Sequence, residues 1–113
     1  MDRRRYGKTD GKLCIEQTQE AVARAWNVPV AELRSPTRRS ASVAQARQVA
    51  MYLSHVIYGV SLALVGQHFG RDRTTAAHAC RRIEDRRDDA SFDRLLDELS
   101  DRLRGTPEHR SPQ

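Results

Sequence analysis

Residues 61–80 read SLALVGQHFGRDRTTAAHAC, and this stretch decides the fold. Ser61 is a helix N-cap residue, because its hydroxyl satisfies an amide that a helix start leaves without a partner. Leu62, Val65 and Phe69 follow at helical spacing, and Gly70 interrupts the run. Asp72 or Thr74 caps a second helix, in which Ala76, Ala79, Cys80 and Ile83 repeat along one face. The spacing predicts two helices joined by the tight turn Gly70-Arg71-Asp72, a helix-turn-helix.

In such a motif the second helix leads with its N-terminal end into a DNA groove. Arg71 and Asp72 lie in the turn, and Arg73, Thr74 and Thr75 form the first helical turn. Arg forks onto guanine, Asp accepts from cytosine N4, and Thr bonds a base edge or covers a thymine methyl. Ala76, Ala77 and Ala79 keep the helix slim, and Arg81 and Arg82 are placed for backbone phosphates. The plainer reading of the same residues is an ordinary capped helix with a solvated, charged start.

Outward from the motif, helical periodicity continues. Val43, Ala46, Val49, Ala50, Leu53, Val56 and Ile57 form one face of a long helix, which Gly59 stops. Ile15, Thr18, Val22, Ala25 and Trp26 form one face of an earlier helix, ended by Pro29, with one further turn over Val30–Leu33. A polar Arg/Ser loop covers residues 34–40. Ser91 opens a last helix with Phe92, Leu95, Leu96, Leu99 and Leu103 on one stripe. No stretch alternates convincingly as a strand. The expected architecture is all-α with about six helices. Residues 1–12 read as a disordered basic arm, 13–104 as the folded domain and 105–113 as a frayed tail.

The composition narrows the classes. The 113 residues allow one domain, and 38% hydrophobic content supports a small core. Eighteen of the 20 basic residues are Arg, against 15 acids, a net charge of +5. Between residues 34 and 82 stand eight Arg and one acid; between 83 and 101 stand three Arg and eight acids. The middle of the chain is cationic and its last helix anionic, which says where a polyanion docks. No apolar run approaches the ~18–20 residues of a membrane span, and the N-terminus lacks the apolar stretch of a secretory signal. Cys14 and Cys80 form no CxxC pair, so a reduced, cytoplasmic setting is expected.

Three runs together resemble a known family. They are residues 42–53, SVAQARQVAMYL; residues 61–66, SLALVG; and residues 69–84, FGRDRTTAAHACRRIE. They are similar to the C-terminal DNA-binding domain of the bacterial replication initiator DnaA, over roughly residues 15–103. That family shows an Arg-Gln-x-Ala-Met helix, a Ser-Leu-x-x-Ile-Gly helix and a Gly-Arg-Asp-His-Thr-Thr-Val-x-His-Ala signature. The resemblance implies a Trp-repressor/DnaA-like helix-turn-helix and sequence-specific binding of double-stranded DNA by a monomer. It implies that Arg39, with Arg38 beside it, enters a minor groove, where A·T-rich narrowing strengthens the negative potential. It implies that Arg47 and Gln48 contact backbone, and that Arg71, Asp72, Thr74 and Thr75 read the major groove.

The departures matter as much. Only Gly70 separates Phe69 from Arg71-Asp72, one residue fewer than the family uses. The family's His before the Thr pair is Arg73, a cationic fork that favours guanine or phosphate. Its Pro in the Ser-Leu-Pro helix is Ala63, and its Lys in the long helix is His55. An altered base preference is therefore expected. The chain carries no GxxxxGK[ST] run, so neither nucleotide binding nor ATP hydrolysis is expected, and it reads as a free-standing regulator of transcription or of replication initiation.

Other chemistry is weaker. His78 and Cys80 lie two apart on a helix, about 200° from each other, a poor pair for one metal. His78 reads as a structural or phosphate-side residue, and His55, His68 and His109 suggest no metal set. Ser40, Ser42 and Ser61 have no base-and-orienter partners, so no catalytic residue and no cofactor is expected. Trp26 reads as core. The leucine stripe reads as packing on its own domain, with a dimer seam as the alternative. A protein-interaction module built on the acidic last helix, and shape-led RNA binding, are the competing functions.

Overall fold

The computed structural model describes residues 8–35 and 40–105. Six helices follow in order: α1 (Lys8–Trp26), α2 (Val30–Arg34), α3 (Ala41–Tyr58), α4 (Leu62–His68), α5 (Arg73–Arg86) and α6 (Ala90–Arg104). No strand occurs among the described residues, so the all-α architecture holds. α3 is the central element, packing on α1, α2, α4, α5 and α6. Its buried residues, from Val43 through Ala46, Val49 and Ala50 to Leu53, are the periodic set that predicts it. No described helix is long and apolar enough to cross a membrane.

The caps obey local chemistry. Ser40 and Ser61 accept from the amides of Val43 and Leu64, both at 3.2 Å. Gly59 ends α3 in the left-handed region at φ 69°, donating to the His55 carbonyl, while Val60 N–H reaches back to Ser54. His55 Nδ1 lies 2.7 Å from the Val60 carbonyl oxygen, which ties that ring to the same turn.

Several details differ from the sequence reading. α1 begins at Lys8, so residues 8–12 belong to the fold and not to a disordered arm. Gly11, within the stretch that reads as an arm, is buried beside α4, where an added Cβ would lie 2.8 Å from Leu64 Cδ2, so it marks a close approach. Ala25 is exposed rather than core. α6 is capped by Asp89 rather than opened by Ser91, with the Asp89 carboxylate accepting from Ser91 and Phe92 amides at 2.9 and 3.2 Å.

The leucine stripe folds onto its own domain: Leu96 and Leu99 are buried with Phe92, and α6 lies on α1 and α3. Trp26 packs on the core and donates to Gln45 at 2.9 Å. Arg87, just past α5, fixes where the acidic helix goes. It pairs with Asp93 at 2.6 Å and Asp97 at 2.5 Å, and donates to Tyr52 Oη, which itself donates to Glu84 at 2.7 Å. Burial first, and then the Glu84 carboxylate, raise the Tyr52 phenol above its ordinary pKa. The network fastens α6 to the C-terminal end of α5, a 14-residue helix about 20 Å long. The acids of α6 therefore start at the opposite end of α5 from Arg73, Thr74 and Thr75.

Candidate nucleic-acid interface

The turn between α4 and α5 is set by two glycines and a phenylalanine. Gly70 takes φ 68°, where a side chain would be strained. Phe69 is fully buried and anchors the turn to the core. Gly66 lets α4 come close: its carbonyl accepts from Arg71 N–H at 2.7 Å, and a Cβ there would sit 2.7 Å from the Asp72 carbonyl oxygen. α5 thus starts where Gly66 allows it to start.

Asp72 is the N-cap of α5, accepting from the Thr75 amide at 2.9 Å. The bond to the Thr75 amide, then the one to its hydroxyl, lowers the Asp72 pKa below the ordinary value for a carboxyl. The cap's stabilisation is therefore present above that ordinary value and is lost as pH falls through the depressed one. A pH titration of the Thr75 amide proton shift should show its transition on the acid side of a free aspartate. A transition at or above the free value contradicts this cap.

α5 buries Ala76, Ala79 and Ile83 against α3 and α4 and exposes Arg73, Thr74, Thr75, His78, Arg81 and Arg82. Thr75, His78 and Arg82 face Gln48 and Met51 of α3 across a groove that Arg71 also borders. The structure thus brings together Arg47, Gln48, Arg71, Thr75 and Arg82 of the sequence-expected set, with Arg73, Thr74 and Arg81 on the adjoining exposed face. Arg38 and Arg39 lie outside the described residues.

Arg47 sits deeper than its neighbour Gln48. It is only 5% exposed, and its Nε and Nη2 donate to the Leu33 and Glu32 carbonyls at 3.0 Å each. Two of its donors hold the end of α2, and the residue lines the same groove as Gln48, Arg71, Thr75 and Arg82 from beneath. His78 is exposed, and the face it shares with Thr75 and Arg82 is signalled by their i, i+3 and i+7 spacing.

Among the described residues no group of three or more His, Cys, Asp or Glu side chains is placed to hold a metal. Cys14 and Cys80 form no disulfide. Burial, with Glu84 nearby, pushes the Cys80 thiol up to about 11, so it is protonated near neutrality and a poor nucleophile.

Comparison with known proteins follows this geometry. The family model for the bacterial DnaA protein helix-turn-helix matches residues 15–83. The chromosomal replication initiator protein DnaA of Caldanaerobacter subterraneus is 34% identical over 95 residues, 83% of this chain and 21% of that protein. That of Burkholderia multivorans is 40% identical over 96 residues, 83% of this chain and 18% of its own length. That of Mesorhizobium japonicum is 51% identical over 72 residues, 63% and 14% respectively. The chain spans about a fifth or less of the length of these relatives.

Proposed function

Because the chain belongs to the bacterial DnaA helix-turn-helix family, we propose that it binds double-stranded DNA at a specific sequence, with the start of α5 in the major groove. One observation carries this reading: Arg73, Thr74 and Thr75 are exposed together at the N-terminal end of α5, while Asp93 and Asp97 of α6 are held by Arg87 at its other end. Thr74, Thr75 and Arg73 read base edges; Asp72 caps and keeps an oxygen for a base. Gln48, Arg81 and Arg82 fix register on phosphates, and Arg38 and Arg39 take the minor groove. With Arg73 in place of the family's His, the box differs from the initiator's own at the position facing it.

The chain acts in the cytoplasm as a monomeric, non-enzymatic reader that needs no nucleotide. Occupancy of its site regulates transcription or modulates replication initiation. Selection from random duplexes tests this, followed by mobility shifts across salt. A defined box is expected, with affinity falling steeply with salt, at a logarithmic slope of about −0.9 per phosphate contacted. Arg81→Ala and Arg82→Ala should each reduce that slope by about 1 and weaken all duplexes alike. No duplex retention at low salt favours the protein-interaction reading instead, and retention of structured RNA over duplex DNA favours the RNA reading.

A further inference from the structure

We propose that Arg71 is a positioning residue, which locks the α4–α5 turn to the end of α2 rather than reading a base. The inference rests on the DNA-binding reading above and changes the work assigned to one member of that site. Arg71 is half-buried, and its Nη1 donates to the Phe69 carbonyl at 2.7 Å and reaches the Ser35 carbonyl at 3.4 Å. Its own amide is taken by Gly66 at 2.7 Å. Main chain and side chain of one residue therefore both serve the turn. Ser35 is the C-cap of α2, so one guanidinium joins two segments 36 residues apart in sequence.

Arg47 reaches the same place from α3, donating to the Leu33 and Glu32 carbonyls. Carbonyls at a helix's C-terminal end carry partial negative charge, which suits guanidinium donors, and here the Glu32 carbonyl also accepts from the Ser35 amide at 3.3 Å. Two arginines from separate elements thus converge on three consecutive-turn carbonyls, Glu32, Leu33 and Ser35. A guanine-reading Arg aims a pair of N–H groups at N7 and O6. In Arg71 the Nη1 prong is instead turned toward protein carbonyls. The consequence is mechanical. The angle of α5 to the α2–α3 segment is held by Arg71, so every contact α5 makes with DNA depends on it equally.

The test uses the full chain with Arg71→Ala and Arg71→Lys. Affinity is measured for the duplex box selected by the wild type and for each of its single-base variants, and the Phe69 carbonyl carbon shift is read in the free protein. Arg71→Ala is expected to weaken binding by about ten- to hundredfold, by the same factor for every duplex, leaving the preference profile unchanged. Arg71→Lys, which keeps a cationic donor on the turn, should recover part of that loss. The Phe69 carbonyl shift should move in Arg71→Ala. Relaxed preference confined to one base pair overturns the proposal, as does an unmoved carbonyl shift. If the wild type retains no duplex, the DNA-binding reading fails, and the carbonyl shift alone decides the clamp.

Discussion

Gly66→Ala is expected to cost about 2–3 kcal/mol and to lower the unfolding midpoint by about 10–15 °C, as an overpacked core position does. The added methyl would meet the Asp72 carbonyl oxygen at 2.7 Å and the Arg71 carbonyl oxygen at 2.8 Å. Both neighbours are backbone, so relief comes only by moving α4 away from the start of α5. That shift carries Arg73, Thr74 and Thr75 with it, and DNA affinity should fall further than the loss of folded protein explains. Gly59→Ala is the control. Gly59, unlike Gly66, has a positive φ, 69°, and open space around it, so the strain of about 1–2 kcal/mol stays local. Thermal melts and duplex titrations on both variants check this. Equal affinity loss per unit of stability in the two variants contradicts the role given to Gly66.

Replacing Thr74 and Thr75 together by Ala should erase discrimination between the selected box and its mismatches. Each base pair read contributes about 1–3 kcal/mol, so the two positions together account for a large part of the specificity. The fold should survive, because both residues are exposed and the Asp72 cap is made to the Thr75 amide, which Ala retains. Non-specific affinity should also survive, since Arg73, Arg81 and Arg82 are untouched. Competition assays with box and mismatched duplexes separate the two quantities. Equal loss of specific and non-specific binding means these threonines support the helix and read nothing.

The features legible in the sequence are those encoded within a few residues. The apolar rhythm of α3, the cap residues Ser61 and Asp72, and the stop at Gly59 each follow from neighbours in the chain. The turn at Gly70 is of the same kind. The features that escape are made at long range. Gly11 belongs to a polar, aperiodic stretch, and nothing near it in sequence signals that α4 packs against it. The burial of Arg47 also escapes, because an exposed and a buried arginine read identically until the Glu32 and Leu33 carbonyls stand beside it. Arg87 looks like one more surface charge, yet it joins Tyr52, 35 residues away, to Asp93 and Asp97. That link places the acidic helix, and the sequence's charge asymmetry alone does not say which face it leaves open.

Site-directed cleavage tests whether the start of α5 enters the duplex. An iron chelate attached through Thr74→Cys should be selective, because Cys14 is buried and Cys80 is half-buried with its thiol pushed up to about 11. With the selected box bound, the label at residue 74 is expected to cut both strands inside the protected region. The same label through Glu98→Cys on α6 should cut little or nothing there. Cleavage from residue 98 with none from residue 74 would place the DNA on the acidic side of the molecule and contradict the orientation on which the proposed function depends.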